Sequence, residues 1–204
     1  MSGPPYISSE DSALIRRALE GRKGGACLEI GAGNGGNLVS VSRGYGMVVG
    51  TDLSRPAMSD WKPHAGYVMA EGASCFRMGV FDLVFFNPPY VVGEGTGDAA
   101  VDGGPGLEVP KRFLRDALRV VKSGGAVVFL LNGDAKIQEF EEICRMAGFG
   151  VRHLLSQRLF YETLSVYEAV TVDARGTGRA REEEESYSET SRVGPPHLVP
   201  RHLS

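Results

Sequence analysis

Apolar and polar positions along this chain follow two periods, and the changes between them mark out the elements. Ala13, Leu14, Ala18 and Leu19 recur at near-helical spacing behind Ser9, whose hydroxyl suits an N-cap, so a helix is predicted over residues 9–19. Short apolar runs then alternate with helical patterns. Strands are predicted at 26–30, 47–52, 66–70, 81–86 and 126–131, and helices at 37–43, 109–122 and 135–147. Residues 151–156 and 162–172 are separated by a short turn and suit a closing antiparallel pair. This alternation predicts an α/β, doubly wound fold. From about residue 173 large apolar residues almost vanish and a Glu182 to Glu185 run appears, a composition that cannot bury a core. The expected organisation is one domain over residues 1–173 and a disordered polar tail over 174–204, with the charge run solvated. No internal repeat is visible.

With 204 residues, 42% hydrophobic and 23% charged, the chain has the makings of one globular domain. A net charge of −3 leaves no basic field of the kind that supports duplex nucleic-acid binding, so none is expected directly. Cys27, Cys75 and Cys144 are scattered, with no C-x-x-C pair to suggest zinc or redox chemistry. The opening residues contain no apolar signal-like core and no run approaches ~18 apolar residues. No membrane association is therefore expected, and the expected location is the cytoplasm, with room for a nuclear pool.

Two loops carry the candidate chemistry. The first is Leu28-Glu29-Ile30-Gly31-Ala32-Gly33-Asn34-Gly35, a glycine-rich turn between a strand and a helix, followed by Asp52 and Leu53 at the end of the next strand. This is the layout of a nucleoside-binding βαβ unit, in which glycines admit a ligand against the main chain and Asp52 accepts hydrogen bonds from ribose hydroxyls. A dinucleotide site needs G-x-G-x-x-G for its pyrophosphate, whereas here the spacing is G-x-G-x-G behind an acid, Glu29. A carboxylate repels phosphate and attracts a cation, which points to S-adenosyl-L-methionine. Taken alone, the glycines would indicate only a tight turn.

The second is Asn87-Pro88-Pro89-Tyr90, directly after the strand at 81–86. Its prolines lack N–H donors, so the loop offers acceptors at a strand's carboxyl end, where open α/β sheets bind ligands. A conjugated NH₂ is a poor nucleophile. The Asn87 side-chain carbonyl and the Pro88 main-chain carbonyl, each accepting one N–H, would aim its lone pair at a methyl donor, while Tyr90 stacks on the planar group and faces the sulfonium. Pro88 keeps Asn87 out of the α region and Pro89 stiffens the turn. As an isolated turn the tetrapeptide would be structural; beside the glycine loop and Asp52 it becomes catalytic.

These motifs together resemble the HemK-like release-factor glutamine methyltransferases of the eukaryotic and archaeal type, among the class I S-adenosylmethionine-dependent enzymes. The resemblance covers about residues 6–171 and rests on Tyr6 with Glu10-Asp11-Ser12 and Ala18-Leu19, CLEIGAGNG from Cys27, and Thr51-Asp52. It continues through FNPPYVV from Phe86, the glycine-rich loop 103–106, and ETLSV from Glu162. It implies a seven-stranded sheet with its last strand antiparallel. It also implies that Glu29, Gly31, Gly33 and Asp52 hold the cofactor, with Tyr6 and Asp11 closing over its methionine end and Asn87 bordering it. Asn87, Pro88, Pro89 and Tyr90 would hold the substrate glutamine, the one in the G-G-Q tripeptide of a translation termination factor, which becomes N5-methylglutamine. The acid expected beside adenine has one candidate, Glu71, and the aspartate often found before the glycine at 106 is missing.

The bacterial substrate-binding domain is also missing, so docking must come from elsewhere. The uncharged stretch at 65–70, with Cys75, Phe76 and Met78 near it, is either an edge for β-augmentation or locally packed. Eukaryotic relatives place a small zinc-binding activator subunit on that edge, so a heterodimer is expected. The rival enzyme class is an adenine-N6 or guanine-N2 nucleic-acid methyltransferase, since N-P-P-Y serves any planar exocyclic amine. The stripe Arg112, Arg115, Arg119 and Lys122 follows one helix face, either solvated or helping to dock a ribosome-associated substrate. A non-catalytic scaffold is the other alternative, and the intact Asn87 and glycine loop argue against it.

Overall fold

The computed structural model describes residues 10–54, 65–89, 104, 107–133, 135–160 and 162–172. The elements run α1 (Glu10–Leu19), β1 (Gly24–Ile30), α2 (Gly36–Val41), β2 (Tyr45–Asp52), β3 (Ala65–Met69), β4 (Phe81–Phe86), α3 (Glu108–Val120), β5 (Val121–Asn132), α4 (Ile137–Met146), β6 (Phe149–Arg158) and β7 (Thr163–Thr171). They form a seven-stranded sheet in the order β3-β2-β1-β4-β5-β7-β6. β1 to β5 are parallel, while β7 runs antiparallel between β5 and β6.

Alternation along the central strands sends successive side chains to opposite faces, and each face has its own core. Leu28, Ile30, Val84, Phe86, Phe129 and Leu131 pack with Leu114 of α3 and Phe140 of α4. Cys27, Leu83, Phe85, Val128 and Leu130 pack on the other face with Leu14 and Ile15 of α1 and Leu38 of α2. Phe86 and Phe129 stack with centroids 5.7 Å apart, which fixes the ends of β4 and β5 against each other. The strand order reverses between β1 and β4, so the crevice at the carboxyl ends of the strands opens there. Among the described residues no helix is long and apolar enough to cross a membrane.

Two expectations need correction. The helix predicted over 109–122 stops at Val120, and Lys122 lies in β5, which begins at Val121 instead of residue 126. The β-branched pair Val120-Val121 favours extended chain, and Gly124 and Gly125 disfavour a further helical turn. The basic stripe is therefore not a single helix face, and three of its members are engaged by partners within the chain. Lys122 Nζ donates to both oxygens of Asp82 at 3.0 Å, and Asp82 Oδ2 also accepts the main-chain N–H groups of Gly25 and Ala26. Arg119 donates to the main-chain oxygens of Phe76 and Ala73, each at 2.7 Å, and Arg112 pairs with Glu71. Arg112 and Arg119 thus hold the segment between β3 and β4, while Lys122 ties the start of β5 to β4.

The edge at β3 divides. Phe76 meets Phe81 edge-on with centroids 5.0 Å apart and belongs to the core, while Met69, Cys75 and Met78 are exposed. Tyr6, Tyr90 and the tail over 174–204 lie outside the described residues, as does most of the loop over 103–106.

Candidate active site

The turn after β1 depends on its glycines for conformation and for space. Gly31 has φ 72°, and a Cβ there would lie 3.2 Å from the Phe113 ring of α3. Gly33 has φ 52°, and a Cβ there would meet nothing within 4 Å, so the turn is open on that side. Both are in the left-handed region that side chains disfavour. The Gly33 N–H donates to Asp52 Oδ2 at 2.8 Å, tying the turn to the end of β2. Asp52 Oδ1 accepts both the N–H and the hydroxyl of Ser54. With two lone pairs per oxygen, Oδ2 retains one for a ligand hydroxyl, whereas a second hydroxyl must replace a Ser54 bond. Leu53 follows, exposed.

Glu29, on β1 beside Phe85 of β4, is buried. Its Oε1 accepts an N–H from Asn37 of α2 at 2.9 Å, and Asn37 Oδ1 in turn accepts from Arg16 of α1 at 3.3 Å. Oε2 is buried and accepts no hydrogen bond. Burial pushes the Glu29 carboxyl up to about 8, against the Asn37 hydrogen bond and with a contribution from nearby Asp52. The group is therefore largely protonated at neutral pH, and a bound cation would favour its ionised form.

Asn87 follows β4 directly. Its Nδ2 donates to Asp11 Oδ2 of α1 at 2.9 Å, and Asp11 Oδ1 accepts the Ser12 N–H at 2.7 Å. A carboxylate only accepts, so the Asn87 nitrogen must face Asp11 and its oxygen must face away. That oxygen is buried and has no partner. Pro88 is buried and Pro89 half-buried behind it.

Among the described residues, the buried side-chain oxygens that lack a hydrogen bond are Glu29 Oε2, Thr51 Oγ1, Asn87 Oδ1 and Asn132 Oδ1. These residues stand at the carboxyl ends of β1, β2, β4 and β5, four neighbouring strands. Buried polar atoms are nearly always satisfied, so this concentration outlines a ligand crevice. The structure thus brings together Glu29, Gly31, Gly33, Asp52, Asn87 and Asp11. Glu71 lies beyond β3 in its pair with Arg112. Asn37, Arg16 and Phe113 were not singled out by sequence, because nothing short of the fold reveals that they touch Glu29 or the glycine turn. Among the described residues no group of His, Cys, Asp or Glu is placed to hold a metal ion.

A sulfonium-bearing nucleoside fits these residues. An unsatisfied buried acid suits its cationic end, the open glycine turn admits it, and Asp52 has a lone pair for its ribose.

Comparison with known proteins agrees. No family model matches the chain. A candidate protein N5-glutamine methyltransferase of Methanocaldococcus jannaschii is 29% identical over 181 residues, covering 80% of this chain and 90% of that protein. Among solved structures, the E. cuniculi Mtq2–Trm112 complex, responsible for methylation of the eRF1 translation termination factor, aligns with a TM-score of 0.71 and 26% identity. That match covers 81% of this chain and 98% of the other. A phosphoethanolamine N-methyltransferase of Haemonchus contortus, solved with S-adenosylhomocysteine, shares the fold at a TM-score of 0.55 and 14% identity, over 79% of this chain and 52% of that one. Sheet order, the crevice at β1 and β4, and these likenesses make the chain an S-adenosylmethionine-dependent methyltransferase, similar to protein N5-glutamine methyltransferases.

Proposed function

We propose that the chain transfers a methyl group to N5 of a glutamine side chain, the one in the G-G-Q tripeptide of a peptide chain release factor. The observation that carries this reading is the buried, unpartnered Oδ1 of Asn87, turned into the crevice because its nitrogen is held by Asp11. An acceptor fixed in this way selects a ligand that donates N–H, and a carboxamide NH₂ is such a ligand.

S-adenosylmethionine, when bound, supplies the electrophilic methyl. The protein's part is positional. Asn87 Oδ1 takes one N–H of the glutamine amide and the Pro88 main-chain carbonyl takes the other, so the nitrogen lone pair points towards the glycine turn. Tyr90 covers the amide plane. Glu29 holds the cationic end of the cofactor, Gly31 and Gly33 let it approach the main chain, Asp52 binds its ribose, and Tyr6 with Asp11 closes the methionine end.

The partner is a small zinc-binding activator subunit seated along β3, making a heterodimer. Among the described residues β3 pairs only with β2, and the exposed Met69 and Met78 provide apolar surface beside it. The solved neighbour's assembly with Trm112 supports this reading. A nucleic-acid substrate is disfavoured, because Arg112, Arg119 and Lys122 are engaged internally. The test is transfer of labelled methyl by the chain with its partner subunit. Label should enter the termination factor and not its Gln-to-Ala G-G-Q variant; label on DNA but not on factor overturns the reading.

A further inference from the structure

Three of the unsatisfied oxygens share more than a sheet edge. Leu83 and Phe85 of β4, Cys27 of β1, and Val128 and Leu130 of β5 face the α1 side. Continuing the alternation places Glu29, Asn87 and Asn132 on that same face. Along the strands β1, β4 and β5 the three acceptors form a row: the cofactor acid, the acceptor-amide residue, and then Asn132, to which the reaction described so far assigns nothing.

We propose that Asn132 is a substrate-binding residue, its buried Oδ1 accepting a main-chain N–H of the polypeptide that presents the glutamine. The proposal rests on the substrate reading above. Phe86 pairs with Phe129, which puts Asn87 level with Leu130 and Asn132 two residues farther towards the strand tips. One strand spacing and two residues of rise give about 8 Å between the two Cα atoms. That separation suits two donors on one peptide segment, a side-chain amide and a main-chain N–H. Asn132 also lies on the opposite side of Asn87 from Glu29, away from the cofactor. Its backbone is fixed by pairing with Leu164 of β7 and by accepting the Ala135 N–H at 3.1 Å, so the side chain is held in the crevice.

The test compares wild type, Asn132→Leu and Asn132→Asp in complex with the partner subunit. Steady-state kinetics on the termination factor are measured alongside calorimetric S-adenosylmethionine binding. Asn132→Leu, which removes the acceptor, is expected to raise KM for the factor about tenfold, the ratio that one unmade hydrogen bond corresponds to, with kcat and cofactor affinity little changed. Asn132→Asp, which keeps an acceptor oxygen, should stay near the wild-type KM. Should Asn132→Leu fail to fold, Asn132→Ala removes the acceptor oxygen and is judged by the same criteria. An unchanged KM in the acceptor-less variant, or a loss of cofactor affinity that accounts for the defect, overturns the assignment while leaving the substrate reading intact. Absence of transfer by the wild type overturns both.

Discussion

Asn87 donates its amide N–H to Asp11 across 76 positions of sequence, at 2.9 Å, and so presents its oxygen to the crevice. The helix that carries Asp11 also carries Arg16, which reaches Glu29 through Asn37. One short helix therefore orients both Asn87 and Glu29, the residues proposed to face the acceptor and the cofactor.

On the proposed reading, Asp11 positions Asn87 for the acceptor. Asp11→Ala frees the Asn87 amide to rotate, and kcat should fall by roughly 10- to 100-fold, the range expected when an orienting hydrogen bond is lost. Asp11→Asn keeps an oxygen that can accept from Asn87 and should recover much of the rate. Equal losses in the two variants would remove Asp11 from this role.

Glu29 predicts a pH dependence with a definite sign. A folded-state value of about 8, against an ordinary 4.5, means that the native protein holds this proton more tightly than the unfolded chain. Its contribution to stability is thus fully present below the ordinary value and is lost as pH rises towards 8. Glu29→Gln removes that titration, so its melting temperature relative to wild type should climb between pH 5 and pH 8. Cofactor binding should respond in the opposite way: wild-type affinity rises over the same interval as the acid ionises, while the variant binds weakly without that rise. Parallel affinity profiles would contradict the pairing of Glu29 with a cation.

The fold was legible where burial acts on consecutive residues. Phe81 to Phe86 reads as a buried strand because five of its six side chains are buried, and Asp52 marks the end of β2 because a carboxylate there meets the glycine turn. Lys122 was misplaced because a strand continuing straight from a helix leaves no break in the pattern. Arg112 and Arg119 looked like a solvated stripe because their partners, Glu71 and the carbonyls of Ala73 and Phe76, come from a distant segment. Asn37 and Asn132 were invisible for the same reason. An asparagine is ordinary in sequence, and only the neighbours gathered by the sheet reveal one as a bracket for Glu29 and the other as an unsatisfied acceptor.

Gly31 should not tolerate a side chain. With φ 72° and Phe113 at 3.2 Å from any Cβ, Gly31→Ala is expected to cost about 1–2 kcal/mol from the backbone alone and more from the contact. Denaturant titration measures the loss. Adding Phe113→Ala should relieve the contact without restoring full stability, since the backbone cost remains.

The β3 edge is tested by charge. Met69→Lys, on an exposed position of the edge strand, should abolish co-purification with the partner subunit while leaving the melting temperature of the isolated chain unchanged. Met146→Lys, equally exposed on α4, should do neither. Retained association in the Met69 variant would move the interface elsewhere.

On the proposed function, Asn87 Oδ1 holds the acceptor amide. The most direct test is the single-turnover rate of methyl transfer to the termination factor by wild type and Asn87→Ala, both saturated with S-adenosylmethionine. A rate loss of about 100-fold or more with cofactor affinity preserved is expected, because the removed oxygen is proposed to meet only the acceptor. A variant that still turns over at the wild-type rate, or one whose defect is explained by lost cofactor binding, would contradict it.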